Sequence, residues 1–495
     1  MKFTAWFLFM MSVFAAVAQY NYSPGCIKAH NDISSLRFRD AQKAIEVAKL
    51  DDPANLIPYT LQAYMDFLTL FVGEDENDLD RLSDNREDIM AELQDGDQTS
   101  PWYKYSIARI NLQWAFARVK FGSYFNAALD IRRAYLLLQE NQEDFPDFLP
   151  NKIGLGVMHA LIGSIPDNYQ WISGLFAMRG SVQQGRAELL EVLEKAEEEG
   201  FSYLKDEALF FISFIDLNLQ YDITRAKSLL PYFEDSSGGN LLLLHPKARI
   251  LMQNGRNDEA ILLLASRPRG NGYYPFLYLD YLEGLCRLNR LDTNASACFL
   301  AYTTNFKGQS YVKSAYQRLA WCALLKGDTS DYFMEMGKVL QYGNDIIDGD
   351  GLAMEAAQAG STLPNLCLLK SRLLFDGGYF LRADSILDEK ACHLTSDRDK
   401  IEYPYRKGRI HHALGNTGKA LEWYAEAIEK GSEAPYYFAA NAALQSAFIY
   451  ESVGKTEQAA ESYKACISMP NKEYKTSLNQ KAKAGLNRIK EIAEK

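Results

Sequence analysis

The sequence predicts an all-α fold built from repeated helical hairpins, and two observations support that prediction. The first is a stretch near the C-terminus, Tyr405–Met469, in which a pattern of small and large residues at helical spacing occurs twice. When the two copies are aligned, three pairs of residues coincide: Gly415 with Gly454, Ala420 with Ala459, and Tyr424 with Tyr463. The second observation is that no run of alternating apolar and polar residues, as in a strand, persists along the chain.

These two hairpins resemble the tetratricopeptide repeat (TPR), in which small residues let paired helices approach and an aromatic residue fills the gap between them. The resemblance implies a solenoid of helical hairpins, a right-handed superhelix whose concave groove binds proteins or peptides. The TPR period recurs upstream, because Ala260 follows Ala226 by 34 residues. Ala383 precedes Ala420 by 37 residues, so the repeats are of unequal length.

Composition and charge exclude several classes of protein. The chain has 495 residues, of which 47% are hydrophobic and 24% are charged, as in globular proteins rather than disordered ones. The net charge of −11 makes binding to nucleic acid through its phosphates unfavourable, so no nucleic-acid partner is expected.

The first 18 residues have the pattern of a signal peptide. Lys2 precedes an apolar core, Ala5–Val17, and the small residues Ala16 and Ala18 place cleavage between Ala18 and Gln19. A membrane anchor is the alternative interpretation, but the apolar core is shorter than the roughly 20 residues that span a bilayer. We therefore expect export to the periplasm or secretion, and leave open a peripheral association with membrane.

The N-terminal half, predicted over 19–235, opens with repeat-like helices. Ala41 and Ala48 match the second helix of a repeat, and Pro53 suits the start of the next helix. Pro101 begins a full hairpin whose turn is at Gly122, and this hairpin contains Trp102 and Trp114 at spacings typical of a helical core. The C-terminal half, predicted over 240–495, contains the more regular repeats and closes with a basic helix that we expect to be a solvated cap.

The segment 150–196 departs from the repeat pattern. It contains several glycines, a Ser-Ile-Pro break at Pro166, and a last helix whose register excludes Ala187 as a repeat position. Together with 37–72, it resembles a TPR family associated with lipid droplets and inclusion-body clearance. The predicted signal peptide departs from the eukaryotic members of that family, so their cellular roles are not carried over. Since Gly180 and Gly185 are not followed by Lys-Ser or Lys-Thr, they do not predict a phosphate loop.

The residues that could hold a metal are better explained by structure. His411 and His412 are adjacent, so on a helix they point about 100° apart rather than toward one ion. The acidic stretch with Asp345, Asp348 and Asp350 lacks the spacing of a calcium-binding EF-hand, and we expect it to be a turn that ends a helix. No catalytic motif is present, so the sequence predicts no catalytic, cofactor-binding or metal-binding residue and no enzyme.

The seven cysteines include no Cys-x-x-Cys motif. Their odd number and spacing do not require a disulfide, although an oxidising compartment would permit Cys286 and Cys298 to bridge across one hairpin.

Two functions follow as hypotheses. The first is an exported, non-catalytic scaffold that binds a protein or peptide partner in a concave groove. The second is a solute-binding protein that holds a glycan or a small amphiphile in the irregular segment 150–196. The partner-binding residues and the oligomeric state are left open. Four tyrosines near hairpin ends are candidate contacts: Tyr273, Tyr274, Tyr436 and Tyr437.

Overall fold

A computed structural model describes residues 19–165, 178–220, 222–234, 239–360, 362–389 and 392–493. The predicted signal peptide, 1–18, and the break at Pro166 lie outside these ranges. Within them the elements are helices, and the extended pairing is limited to one bridge between Gln19 and Asn55. The prediction of an all-α fold of consecutive helical hairpins is therefore confirmed.

The chain forms two compact units. The first consists of Met1–Ile250, Ser266–Leu277 and Asn305–Gly308, and the second consists of Leu251–Ala265, Tyr278–Thr304 and Gln309–Lys495. The boundary predicted from sequence, between 235 and 240, stays a prediction, and residues 235–238 are not among those described.

Eleven α-helices are described up to Gln253, and the last of them begins in the first unit and ends in the second. They are α1 (Pro24–Ser34), α2 (Phe38–Asp51), α3 (Ile57–Gly73), α4 (Glu76–Gln94), α5 (Pro101–Lys120), α6 (Tyr124–Asp144), α7 (Asn151–Gly163), α8 (Val182–Lys195), α9 (Lys205–Phe214), α10 (Ile223–Ser228) and α11 (Leu241–Gln253).

The described helices of the second unit follow one another along the chain, and most of them pack against the next one. They are α12 (Asn257–Ala265), α13 (Tyr278–Asn289), α14 (Ala295–Asn305), α15 (Val312–Leu325), α16 (Thr329–Gln341), α17 (Asp348–Gln358), α18 (Leu366–Asp376), α19 (Phe380–Leu387), α20 (Asp397–Ala413), α21 (Thr417–Gly431), α22 (Tyr437–Ser452), α23 (Thr456–Ser468) and α24 (Lys475–Ala493). None of the described helices in either unit is both long and apolar enough to cross a lipid bilayer.

Helices begin where polar side chains satisfy the free backbone N–H groups of the first turn. The hydroxyl of Ser100 accepts from the backbone of Trp102 at 3.3 Å at the start of α5. Ser181 starts α8 in the same way, and Ser396 forms a reciprocal capping box with Asp399 at the start of α20.

The small residues that define the repeat are buried where helices touch. Each of six alanines predicted to be a repeat position has at most 1% of its surface exposed: Ala127, Ala226, Ala260, Ala383, Ala420 and Ala459. Larger side chains at these positions would separate the helices. The repeat spacing therefore identified the contact face of the second helix in both units.

The repeat tyrosines pack over glycines, as the resemblance implied. A Cβ atom added to Gly408 would lie 2.5 Å from the ring of Tyr424, and one added to Gly485 would overlap the ring of Tyr463. Both tyrosine rings are fully buried. The turn glycine Gly415 has φ of +77°, a conformation that a side chain would strain, so its role is to reverse the chain.

The last described helix, α24, is packed against its neighbours rather than solvated on all sides. Leu478 and Ala482 are buried in the same apolar cluster as Tyr463. Arg488 binds Glu451 with two hydrogen bonds, of 2.8 and 2.9 Å. The prediction of a solvated cap did not include the buried face of this helix. Its sequence is rich in lysine, and the apolar residues, spaced four apart, were not recognised as a packing face.

The disulfide joins a different pair of cysteines from the one considered in the sequence. Cys367, at the start of α18, is bonded to Cys392, which follows α19, and their Cα atoms are 5.4 Å apart. Cys286 and Cys298 are not bonded to each other. Cys286 is completely buried on α13, where it packs as a small apolar residue.

Candidate functional site

The structure divides the four candidate tyrosines into two groups. Tyr274 is used in packing, since its ring stacks on Phe38 at 4.8 Å and its hydroxyl donates to the carbonyl of Thr69 at 3.2 Å. Tyr273 also belongs to the first unit, and its hydroxyl lies near Gly239. Tyr436 and Tyr437, in contrast, lie among arginines in the second unit.

Four arginines lie on the first helices of three hairpins in the second unit, and we call this row the arginine face. It consists of Arg318 on α15, Arg372 on α18, and Arg406 and Arg409 on α20. Arg318 and Arg372 share one aromatic ring, because their guanidinium groups lie 4.1 and 5.4 Å from the centroid of Trp321. This sharing brings α15 and α18 onto one surface.

The arginines of α20 extend the same surface. Arg409 donates to the hydroxyl of Tyr405 at 3.0 Å, and its guanidinium lies 4.9 Å from the ring of Phe375 on α18. Arg406 donates to Glu402 at 2.7 and 2.9 Å and lies 3.5 Å from the hydroxyl of Tyr437. Cationic groups and aromatic rings therefore alternate along the arginine face.

Carboxylates balance only part of this charge. Glu402 neutralises Arg406, and Asp376 lies 3.9 Å from Arg372, at the edge of ion-pairing distance. Among the described residues no carboxylate pairs with Arg318 or Arg409. Burial lowers the pKa of the Arg318 guanidinium, and the neighbouring charge of Arg372 acts in the same direction. An anion brought to this surface would relieve that repulsion.

A second candidate site lies in the first unit, in the segment that departs from the repeat. Residues of α6, α7 and α8 line a cleft with a volume of about 430 Å3. Its walls include His159 and Glu188, whose Nδ1 and Oε2 atoms are 2.7 Å apart. This cleft falls within the segment 150–196, where the sequence had suggested a ligand.

Glycines allow α7 and α8 to cross at very short distance and so bring His159 beside Glu188. A Cβ atom on Gly185 would overlap the carbonyl oxygen of Gly156 and lie 2.6 Å from the amide nitrogen of Ala160. One on Gly180 would lie 2.6 Å from the Cα atom of His159. The glycines of this segment therefore serve close packing of backbones. Gly185, and not the exposed Ala187, occupies the buried small position on α8.

A buried polar cluster in the first unit was not anticipated from the sequence. Arg109 on α5 donates to Glu207 at 2.8 Å and to the hydroxyl of Tyr105 at 2.9 Å, and about a tenth of each charged side chain is exposed. Burial lowers the pKa of the nearby His30 well below its usual range, so this ring is neutral near pH 7. A cavity of about 10 Å3 beside Arg109 has room for about one water molecule. This cluster is too enclosed to admit a ligand larger than water, and we assign it a structural role.

The residues considered as metal ligands have structural roles. Nδ1 of His412 lies 3.4 Å from the hydroxyl of Tyr424, while Nδ1 of His411 is buried and has no hydrogen-bond partner among the described residues. Asp350 accepts hydrogen bonds from the backbone N–H groups of Tyr311 and Ser314, at 2.6 and 2.7 Å, at the start of α15. The first part of this stretch lies in the turn that follows α16, as expected, but Asp348 and Asp350 occupy the first turn of α17, which was not expected. Acidic side chains are favourable at that end of a helix.

The two tryptophans of α5 are part of the core rather than a binding platform. Trp114 is 2% exposed, and Trp102 packs edge-on against Phe148 with their centroids 4.9 Å apart.

A comparison with protein families identifies the C-terminal hairpins. No curated protein matches the chain. Residues 402–429 and 440–473 match the family model of the tetratricopeptide repeat, and they correspond to the hairpin of α20 and α21 and to that of α22 and α23. The second unit is therefore similar to tetratricopeptide-repeat proteins over the two hairpins in which the repeat is most regular.

Proposed function

We propose that the protein is a non-catalytic scaffold, and that the arginine face of its second unit binds an acidic, extended segment of a partner protein. Stacked helical repeats present extended concave surfaces to their partners. The observation that carries the proposal is that Arg318 and Arg409 have no carboxylate partner among the described residues. A protein with a net charge of −11 has a surplus of carboxylates that could have paired with them.

The chemistry of the arginine face defines the segment that would fit. Guanidinium groups bind carboxylates through paired hydrogen bonds, so aspartate or glutamate side chains should lie over Arg318 and Arg409. Phe375 beside Arg409 and Tyr474, whose ring lies edge-on 4.9 Å from that of Tyr437, offer apolar contacts, and Tyr474 is 40% exposed. A segment in which acidic and large apolar residues alternate matches this surface.

Binding is expected to fall at least tenfold when either Arg318→Glu or Arg409→Glu is introduced, because each change replaces an attraction by a repulsion. The measurement is fluorescence anisotropy with a labelled peptide of alternating glutamate and leucine, at low and at physiological salt. Arg382→Glu is the matched control. Arg382 is exposed on α19, the second helix of its hairpin, and it too has no carboxylate partner among the described residues.

Three results would contradict the proposal. One is equal affinity for a peptide in which lysine replaces glutamate. Another is an equal loss of binding in the Arg382→Glu control. The third is tighter binding of a single-stranded oligonucleotide than of the acidic peptide, which would indicate a nucleic-acid surface instead.

We also propose that the protein is exported. The apolar core of 1–18 and the disulfide between Cys367 and Cys392 both suit an oxidising compartment. Expression of the full chain in its host should yield a mature protein whose N-terminal residue is Gln19. A product that retains Met1 in the soluble cell interior would argue against export. The resemblance of the first half to the lipid-droplet family remains a hypothesis about structure, without that family's cellular roles.

A further inference from the structure

The cleft between α6, α7 and α8 lies in the first unit and shares no residue with the arginine face. Its volume of about 430 Å3 falls within the range of small-molecule sites. Most of the side chains that line it are polar, with amides from Gln139, Gln142 and Gln184 and carboxylates from Glu143 and Glu188. The accessible surface of the wall is nevertheless more apolar than polar, so methylene groups of a ligand can pack against it.

The histidine of the cleft presents an acceptor. His159 is 7% exposed, and its Nδ1 lies 2.7 Å from a carboxylate oxygen of Glu188 and 3.0 Å from the amide nitrogen of Gln184. The shorter contact, to the carboxylate, favours a proton on Nδ1. No hydrogen-bond partner for Nε2 is present among the described residues. In this tautomer Nε2 therefore carries a lone pair that can accept a hydrogen bond.

The amide donors of the cleft, in contrast, are each partly used by hydrogen bonds within the protein. The amide nitrogen of Gln139 donates to Tyr135 at 2.9 Å, and that of Gln142 donates to the carbonyl of Pro146 at 2.7 Å. The amide nitrogen of Gln184 donates to Glu188 at 3.1 Å. The carbonyl oxygen of Gln142 is buried without a donor among the described residues. The wall thus has more acceptors than donors.

The net charge of the cleft also favours a ligand that donates hydrogen bonds and is positively charged. Among the residues that line the cleft the cation is Lys152, and it forms an ion pair with Glu191, which also binds Lys195. Glu143 is exposed and has no ion pair among the described residues, while Glu188 faces only a histidine and an amide. The cleft is therefore net negative as well as rich in acceptors.

We propose that this cleft binds a small molecule that carries at least one ammonium group, such as a polyamine or an amino sugar. An ammonium group offers three donors and one positive charge and has no acceptor, so it complements this wall on both counts. A neutral sugar would bring hydroxyl acceptors that find few donors here. The carboxylates of Glu143 and Glu188 are the expected charge partners, and Nε2 of His159 is an expected acceptor.

Isothermal titration of the full chain with spermidine, glucosamine and glucose, at physiological salt, tests this proposal. We expect saturable binding of spermidine, of glucosamine or of both, and at least tenfold weaker binding of glucose. Glu143→Gln and Glu188→Gln should each weaken binding of the amine by about fivefold or more. Glu194→Gln is the matched control, because Glu194 is exposed on α8 and does not line the cleft.

The outcomes separate clearly. Binding of one amine alone would support the proposal and identify its class as polyamine or amino sugar. Absence of binding by both amines would overturn it, as would glucose binding as tightly as glucosamine. An equal effect of Glu194→Gln would show only a general attraction of cations to an acidic protein. Because Glu143 is exposed, Glu143→Gln keeps the test valid even if Glu188→Gln impairs folding.

Discussion

Gly185→Ala is expected to destabilise the first unit by about 3 kcal/mol or more, although alanine favours helices by about 1 kcal/mol over glycine. The added methyl group would overlap the carbonyl oxygen of Gly156 and crowd the amide nitrogen of Ala160. Both are backbone atoms, which cannot move aside as a flexible side chain can. The helices α7 and α8 would therefore have to separate, and the cleft beside His159 would be lost with their crossing.

Urea unfolding, followed by hydrogen exchange in peptides from each unit, measures this effect and locates it. Gly337→Ala is the matched control, because Gly337 lies inside α16 and a Cβ atom there meets nothing within 4 Å. That substitution should stabilise the second unit slightly, by up to about 1 kcal/mol. If Gly185→Ala left exchange in α7 and α8 unchanged, the close crossing would be refuted.

Arg109→Met should cost the first unit about 3–5 kcal/mol, because it leaves the carboxylate of Glu207 buried without a partner. Only 11% of the Glu207 side chain is exposed, so water cannot replace the lost guanidinium. The hydroxyl of Tyr105 also loses its donor. The double variant Arg109→Met with Glu207→Leu should recover most of the loss, since no charge then remains buried.

Urea unfolding of the two variants again supplies the measurement. Arg225→Met is the control, because Arg225 and Asp222 form an exposed pair in the same unit whose loss should cost less than about 1 kcal/mol. A double variant no more stable than Arg109→Met would show that the guanidinium acts through packing, for example over the ring of Tyr64, rather than through its ion pair with Glu207.

The sequence was sufficient for the fold because repeat packing depends on residue size at regular spacing. Ala420 and Ala459 could be recognised as contact positions from one chain, and the structure buries both completely. Gly185 could not be placed by the same rule, because its partner on α7 is another glycine rather than a repeat residue. Its spacing from Gly180 suggested only a comparison with phosphate loops.

The candidate sites were harder to predict from the sequence than the fold was. The irregular segment marked the region of the cleft, but the wall also needs Gln139 and Glu143 from α6, and no local pattern connects them with Glu188. Arg318, Arg372 and Arg409 lie tens of residues apart and share a face only after three hairpins have stacked. Arg109 carried a weak signal, as a charged residue between Ile107 and Ile110 on an apolar helix.

The fit of Tyr463 over Gly485 has a consequence for how the second unit is made on the ribosome. A domain emerges N-terminal part first, and elements can pack only once their partners have left the exit tunnel. Until α24 emerges, the ring of Tyr463 and the apolar side of α22 and α23 stay uncovered on the nascent chain. The apolar side of α22 and α23 therefore stays open to aggregation until α24 can pack on it.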